Sequence, residues 1–320
     1  MNRRQTIPKE LRYTFQQFNQ DFPTDDACLE SIKEQRFPGG IADCPKCEKP
    51  RKHYRVRGRT AYACQTCGNH IFPLAGTIFE KSSTQLRIWF HAMYLIGSTR
   101  CGISAKQIQR ETGVTYKTAW RMFHQIRKLM AEEIQLGGDG GSGVEMDEMY
   151  HGGRRKANSG RMLKADQGKK TVVMGIVERK GRIMARVTLE HKMLPVNTLV
   201  QECVLPKTTI FTDESRVYGA VSELAGHGYE HRRINHSQKI YVMGDVHTNT
   251  IEGFWSLVKR GIGGVYHSVS AKYLQSYLNE YSFRYNRRDS GNLVFSSILQ
   301  RVGEMASHKP ALQAERNPTL

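Results

Sequence analysis

Two aspartates stand where a metal-dependent enzyme would need carboxylates. Asp147 lies inside an alternating stretch, 144–150, whose pattern predicts a β-strand with Glu145 and Asp147 on the same face. Because strands disfavour aspartate, a carboxylate at this position needs a reason such as a bound cation. Asp213 follows a short apolar strand, 208–212, at the carboxyl end where α/β folds display functional groups. The alternative for Asp213 is that it caps the helix that follows.

A third element with ligand-type side chains is predicted on a helix around 249–260. Its apolar residues recur with helical spacing and form one stripe, made of Ile251, Phe254, Trp255 and Val258. An adjacent stripe carries Asn249, Glu252 and Lys259, so Glu252 is expected beside buried aromatic rings. Asn249 and Glu252 also fit a capping box at the start of the helix, an interpretation that does not exclude a ligand role.

Oxygen ligands from three separate elements suit a hard cation such as Mg²⁺. Two such ions, about 4 Å apart, can clamp a phosphodiester, one activating the attacking oxygen and the other stabilising the leaving oxygen. Asp147, Asp213 and an oxygen from Asn249 or Glu252 meet this requirement. The residues alone leave this interpretation open beside the structural roles just given.

Four of the seven cysteines form two Cys-x-x-Cys pairs, Cys44 with Cys47 and Cys64 with Cys67. Two short loops with two thiolates each provide the tetrahedral sulfur set that Zn²⁺ prefers, and the stretch between them predicts a hairpin. Metal binding would supply the folding energy that so small a module lacks. A redox site is the alternative, although one pair would suffice for it. The module carries basic side chains that suit either DNA phosphates or a solvated surface, namely Arg51, Lys52, Arg55, Arg57 and Arg59.

Residues 102–115 are typical of a helix, a tight turn and the start of a second helix. Ser104 with Gln107 fits a capping box, Gly113 supplies the turn, and Thr115 can cap the second helix. With a preceding helix this predicts a helix-turn-helix that reads the major groove, the alternative being an ordinary helical hairpin. The second helix is expected to bury Ala119, Met122, Phe123, Ile126 and Met130. It is expected to turn its basic residues outward, with Lys117 and Arg121 as the DNA contacts beside His124, Arg127 and Lys128.

The composition favours a globular protein with a polyanionic partner. In 320 residues, 48 Lys and Arg face 30 Asp and Glu, which gives a formal net charge of +18. Such an excess indicates nucleic acid or an acidic membrane surface. No apolar run approaches the roughly 20 residues of a membrane span, and no signal segment follows the basic start. We therefore expect nucleic acid rather than a membrane as the partner, and a cytoplasmic protein, since the odd number of cysteines suits a reducing compartment.

Periodicity and composition predict a mixed α/β fold in six parts. Strand-type runs at 171–177 and 183–189 join those at 144–150 and 208–212, and helical stretches lie at 197–204, 249–260 and 270–287. The six predicted ranges are an N-terminal helical segment (1–40), a zinc ribbon (41–75), a helix-turn-helix (84–131), a Gly-rich linker (132–143), a catalytic domain (144–302) and a flexible tail (303–320).

At these motifs the chain resembles bacterial insertion-sequence transposases of the DDE superfamily, in the branch with an N-terminal zinc ribbon and a catalytic Asp, Asp, Asn or Glu, and Lys. The resemblance extends over about 15–300, and the most specific string is 247–260, which holds Asn249, Glu252 and Lys259. The other matching strings are 44–47, 144–153, 212–213, 264–270 and 283–287.

The resemblance implies an RNase-H-like catalytic domain and cleavage and strand transfer at inverted repeats of double-stranded DNA, dependent on Mg²⁺ or Mn²⁺. Asp147 and Asp213 would be the metal-binding carboxylates, Asn249 or Glu252 the third ligand, and Lys259 a DNA contact near the cut. By analogy a homo-oligomer is expected, because two ends must be cut together. The basic loop that holds Arg154, Arg155 and Lys156 is expected to contact phosphates.

Two other functions remain compatible with the same residues. An RNase-H-like nuclease would cleave DNA without joining it, and the sequence does not separate this from a transposase. A DNA-binding regulator would use only the zinc ribbon and the helix-turn-helix. The intact carboxylates Asp147, Asp213 and Glu252 argue against the regulator.

Overall fold

The computed structural model describes residues 8, 12–99, 101–138, 141–152, 170–179, 181–188, 193–219, 221, 224, 228–233, 248–290 and 294–307. By its contacts the chain divides into two compact units, Met130–Arg288 and a first unit of Met1–Leu129 with Asp289–Leu320. None of the described helices is long and apolar enough to cross a membrane.

The first unit begins with two helices and a small antiparallel sheet of order β1-β2-β3-β4. The helices and strands are α1 (Phe15–Asp21), α2 (Asp25–Arg36), β1 (Ile41–Cys44), β2 (Lys49–Arg55), β3 (Tyr62–Cys64) and β4 (His70–Ile71). The predicted hairpin between the cysteine pairs is confirmed, since Arg55 lies opposite Tyr62 and His53 opposite Cys64.

Four helices complete the first unit: α3 (Leu86–Ser98), α4 (Ala105–Thr112), α5 (Tyr116–Leu129) and, from the far end of the chain, α9 (Val294–Ser307). Phe295 of α9 packs among aromatic rings of the N-terminal helices, 5.8 Å from Phe18 and 5.8 Å from Phe22 between centroids. Gly97 permits a close approach of α3 to α9, because a Cβ there would lie 2.9 Å from the backbone nitrogen of Phe295. The helix continues past residue 303, where a tail was predicted, and Val302 within it is fully buried.

The second unit is built on a mixed five-stranded sheet of order β7-β6-β5-β8-β9. The central strand β5 runs antiparallel to β6 and parallel to β8. The strands and helices are β5 (Val144–His151), β6 (Thr171–Glu178), β7 (Ile183–Thr188), α6 (Met193–Cys203), β8 (Thr209–Thr212), β9 (Glu230–Arg233), α7 (Asn249–Gly261) and α8 (Ala271–Asn286). This confirms the predicted mixed α/β class.

Alternate residues of β5 are buried on opposite faces of this sheet. Val144 and Met146 pack with α6, whereas Met149 packs with α7 and α8 on the other face. The predicted alternation along β5 is therefore confirmed, and Glu145 and Asp147 lie on the α7 face. Leu136, inside the range predicted as a linker, is instead fully buried, because removing an apolar side chain from water is favourable. Its backbone forms an isolated β-bridge with Val204.

Candidate active site

Asp147 lies near the middle of β5, next to one residue of helix α7 and one of the neighbouring strand β6. The indole Nε1 of Trp255 in α7 donates to its Oδ2 at 3.1 Å. Gly175 of β6 lies directly opposite Asp147. A Cβ on Gly175 would come within 2.5 Å of Trp255, so the missing side chain makes room for the ring that contacts the aspartate.

Burial and the charges of other carboxylates change the pKa of Asp147. Burial raises the pKa of Asp147 to about 7, the N–H of Glu148 opposes this, and the charges of Glu148, Asp213 and Glu252 raise it further. Burial and the charges of Glu148, Asp147 and Asp213 likewise raise the pKa of Tyr218 well above its ordinary value. Acidic groups from β5, the end of β8 and the first turn of α7 thus act on Asp147.

Asp213 directly follows β8, as predicted. Its Oδ1 accepts the N–H of Ser215 at 2.9 Å, and Ser215 rather than Asp213 precedes the short 3-10 turn Arg216–Tyr218. The alternative interpretation, in which Asp213 caps a following helix, is therefore wrong, because its side chain closes a local turn. Tyr218 in that turn donates its hydroxyl to Glu148, which connects the segment after Asp213 to β5.

The start of α7 is stabilised by a buried carboxylate from β5. The N-cap residue is Thr248. In the part of the chain that the structure describes, Asn249 and Glu252 do not form the predicted capping box. Glu145 Oε2 instead accepts the N–H of Thr250 at 2.8 Å and of Ile251 at 3.0 Å. A carboxylate suits the positive end of a helix and its unpaired N–H groups.

Glu145 is fully buried and also pairs with Arg179, whose Nε lies 3.2 Å from Oε1. The guanidinium of Arg179 stacks over Phe211 at 3.7 Å from the ring centroid. Sequence reasoning placed Glu145 on the Asp147 face but assigned it no role. The available signal was an acidic residue two positions before Asp147 in a strand with an apolar core face.

Asn249, Glu252 and Lys259 all lie on the exposed side of α7, while the stripe Ile251, Phe254, Trp255 and Val258 is buried as predicted. Glu252 accepts the hydroxyl of Thr248 at 3.2 Å. The residues Arg154, Arg155 and Lys156, expected to contact phosphates, lie outside the described residues.

Four sulfurs form a compact metal-binding group in the first unit. The Sγ atoms of Cys44, Cys47, Cys64 and Cys67 all lie within 4.8 Å of one another, and among the described residues this is the one such group of three or more ligand side chains. Cys44 and Cys67 are 3.4 Å apart and Cys47 and Cys64 are 4.0 Å apart. A tetrahedral zinc with Zn–S bonds of about 2.3 Å requires sulfurs about 3.8 Å apart, so the set fits Zn²⁺.

The local environment of Cys64 favours a thiolate. Burial acts to raise its pKa, but the N–H groups of Cys67 and Thr66 and the neighbouring thiols outweigh burial, and its pKa falls to about 6. A thiolate is the form that ligates a metal.

The helical pair α4 and α5 has the predicted turn. The side chain of Ser104 caps α4, Gly113 adopts the left-handed conformation at φ 73°, and Thr115 accepts the N–H of Thr118. The side chain of Gln107 donates to Glu111 rather than completing a capping box.

The basic residues of α5 differ in accessibility. Lys117 is exposed, while Arg121 is half-buried and stacks on Trp89 at 5.5 Å. Arg127 was expected to point outward and is instead buried, because its guanidinium packs over Phe123 at 4.7 Å. The apolar residues predicted for the inner face are buried, namely Ala119, Met122, Phe123, Ile126 and Met130.

Comparison with known proteins identifies two matching domains. Residues 135–286 match the ISXO2-like transposase domain, and residues 23–70 match the transposase zinc-ribbon domain. Over 295 residues the chain is 29% identical to a protein of Halobacterium salinarum described as an uncharacterized protein in transposable element ISH50, covering 87% of this chain and 97% of that protein. No solved structure matches the chain with significance.

Proposed function

Because the chain belongs to the insertion-sequence transposases that carry an N-terminal zinc ribbon, we propose that it cuts and joins DNA at the ends of its element. The reaction is metal-dependent cleavage of a phosphodiester followed by strand transfer. The observation that carries this proposal is the placement of Asp147 on β5 and of Asp213 directly after the parallel neighbour β8, where the charges of Asp213 and Glu252 act on Asp147.

Asp147 and Asp213 are the proposed ligands of Mg²⁺ or Mn²⁺, with Asn249 or Glu252 as the third. When bound, the metal polarises the phosphodiester and activates the attacking oxygen. The donor set fits a hard cation, because it consists of carboxylate and amide oxygens that carry an excess of negative charge. Trp255 orients Asp147 through its indole N–H, and Lys259 on the exposed side of α7 would contact the DNA backbone near the cut.

The third ligand is a choice between two residues on the same exposed side of α7. We favour Asn249, with Glu252 close behind. Glu252 brings a negative charge that acts on Asp147. Asn249 would bring a neutral oxygen and so leave the cluster less negative. Separate Asn249→Ala and Glu252→Ala variants, compared by the Mn²⁺ concentration that half-saturates cleavage, distinguish the two, because only loss of the ligand raises that concentration strongly.

DNA recognition is proposed for the first unit, with structural zinc holding the ribbon. We propose that α4 and α5 form a helix-turn-helix in which Lys117 and Arg121 contact the inverted repeats. Arg121 must release its stacking on Trp89 to do so, and Lys117 is already exposed. Loss of charge at Lys117 should weaken binding and reduce its salt dependence by about one phosphate contact.

The mixed sheet with parallel β5 and β8, with Asp147 on β5 and Asp213 directly after β8, supports an RNase-H-like catalytic domain. The predicted range of that domain, 144–302, extends past the compact second unit, which ends at Arg288. As part of the same proposal, the protein acts on double-stranded DNA in the cytoplasm, and it does so as a homo-oligomer.

The decisive experiment is a strand-transfer assay with a double-stranded end of the element, with Mg²⁺ or Mn²⁺ added. Asp147→Ala and Asp213→Ala should each abolish cleavage and joining. Glu202→Gln, an acid on α6 that pairs with Arg186 at the surface, is the matched control and should keep both activities. Retained strand transfer in either aspartate variant contradicts the proposal, and cleavage without joining in the unaltered protein would identify a nuclease instead.

A further inference from the structure

The sheet of the zinc ribbon has one buried face and one open face. Pairing across antiparallel strands keeps opposed residues on the same face. The register aligns Ile41 with Lys52, Tyr54 with Ala63, and Ala63 with His70. Because Lys52 and Tyr54 are two residues apart on β2, all of these side chains lie on one face of the four strands.

The open face exposes large hydrophobic side chains to solvent, where a solvated sheet ordinarily carries polar ones. Ile41 is 55% exposed, Tyr54 54% and Phe72 53%. These three are half of the exposed large hydrophobic residues in the part of the chain that the structure describes. The ring of Phe72 contacts that of His70 edge-on, with centroids 6.4 Å apart. We define the ribbon face as Ile41, Lys52, Tyr54, His70 and Phe72. Clustered exposed apolar groups of this kind mark an interaction surface.

Charge indicates the partner of the ribbon face. Between residues 41 and 71 the sequence has seven Lys or Arg against two Asp or Glu. The ammonium of Lys52 lies 5.6 Å from the centroid of the Tyr54 ring, so a cation and an aromatic surface are presented together. Asp43 is the acidic residue on the same side of β1. Aromatic rings beside basic groups suit single-stranded nucleic acid, whose bases stack on the rings while phosphates meet the cations.

We propose that the ribbon face binds unpaired bases of DNA, with Tyr54 and Phe72 as stacking platforms and Lys52 as the phosphate contact. The proposal deepens the DNA function given above and rests on it for the choice of DNA. Paired bases in a duplex already stack on each other, so the face selects strands that are open, as at a DNA end that has melted. Stacking is tolerant of sequence because every base has an aromatic face.

The test is equilibrium binding of the full chain to an oligo(dT) strand of about 12 nucleotides, a length within the range that single-strand binding folds contact. A duplex of the same length is measured in parallel. Tyr54→Ala and Phe72→Ala should each weaken single-strand binding about fivefold or more and duplex binding less than twofold. Tyr54→Trp should restore single-strand binding, since it replaces one ring by another. Phe15→Ala removes a similarly exposed ring from α1 and should change neither.

A salt titration separates stacking from charge. Lys52→Gln should lower the salt dependence of single-strand binding by about one phosphate contact, whereas Tyr54→Ala should leave that slope unchanged. Zinc content shows that each variant keeps the ribbon. If Tyr54→Ala loses zinc, Tyr54→Leu takes its place, because leucine preserves apolar surface without a ring.

Three results overturn the proposal: unchanged single-strand binding in both ring variants, an equal loss for single strand and duplex, or a loss of self-association in place of DNA binding. The last would show that a second copy of the chain covers the face. Since none of these measurements uses cleavage, failure of the catalytic proposal would not be confused with failure of this one.

Discussion

Glu145 is the residue whose replacement tests most directly how the site is assembled. The change Glu145→Gln keeps the size of the side chain and one acceptor oxygen but removes the negative charge. Glu145→Ala removes the negative charge and both acceptor oxygens. We expect either change to loosen the first turn of α7, where Asn249 and Glu252 lie, because the N–H groups of Thr250 and Ile251 donate to this carboxylate.

The magnitude follows from the contacts. Glu145 is fully buried and the Arg179 side chain is 11% exposed, so Glu145→Ala leaves a buried guanidinium without its carboxylate. Breaking such a pair from one side costs about 3–5 kcal/mol in the free energy of unfolding. Glu145→Gln also leaves the guanidinium without a carboxylate. At the start of α7 it exchanges two hydrogen bonds to a charged group for neutral ones, a local loss of about 1–2 kcal/mol. A displacement of the first turn of α7 by about 1 Å would lower the cleavage rate roughly 100-fold.

Hydrogen exchange at single amides is the appropriate assay, because a chain of two units need not unfold in one step. First-turn amides of a helix have no acceptor within the helix and ordinarily exchange fast. The amides of Thr250 and Ile251 should be protected in the unaltered protein and exchange about 5- to 30-fold faster in Glu145→Gln, as a loss of 1–2 kcal/mol requires. Cleavage of a DNA end is measured on the same samples.

Glu132→Gln is the matched control for this effect. Glu132 pairs with Arg287 at 2.7 Å within the same unit, and its side chain is 12% exposed. Its loss should lower stability comparably and leave the amides of Thr250 and Ile251 protected. A free energy of unfolding of Glu145→Ala within about 1 kcal/mol of that of the unaltered protein would contradict this role of Glu145. Faster exchange of the same two amides in the control would contradict it as well.

Three further predictions concern other parts of the two units. Purified protein should hold one zinc ion per chain, and Cys64→Ser or chelation should abolish the ribbon sheet in circular dichroism while the helices persist. Gly175→Ala should destabilise the second unit by about 1–3 kcal/mol by overpacking, because its Cβ would meet Trp255 at 2.5 Å, and a shift in tryptophan emission should report the displaced ring. The pKa of Asp147 is raised from 3.8 to about 7, so its contribution to stability is full below about pH 4 and is lost as pH rises to 7. The proposed binding of Mg²⁺ to Asp147 requires that this proton leave, so calorimetry in two buffers should show nearly one proton released per bound ion at pH 6 and nearly none at pH 8.

Local pattern was enough to predict most of the secondary structure. The apolar stripe of Ile251, Phe254, Trp255 and Val258 predicted the buried side of α7, and Gly113 predicted the turn before α5. These features are encoded within one or two helical turns of the chain. In contrast β9, Glu230–Arg233, has four polar residues and no alternation, and among the described strands it lies at the sheet edge beside β8.

Interactions between distant segments account for what sequence reasoning missed. Asn249 and Glu252 fitted a capping box locally. Instead, a carboxylate more than 100 residues earlier in the chain accepts the neighbouring N–H groups of Thr250 and Ile251. Arg127 fitted an exposed position by charge, yet the Phe123 ring one turn earlier takes up its guanidinium. In both cases a long-range or stacking partner, not the local pattern, decided where the polar group lies.

Strand β5 explains why three acidic residues occur so close together. Side chains alternate between faces, so Glu145 and Asp147 point toward α7 while Glu148 points toward the segment after β8. Glu145 holds the helix start that carries Asn249 and Glu252, and Glu148 accepts the Tyr218 hydroxyl from the turn after Asp213. A slip of one residue would exchange the two faces and send each carboxylate to the wrong partner. The spacing therefore does more than place Asp147: the same strand also contacts the start of α7 and the turn after Asp213, the two segments that carry the other proposed ligands.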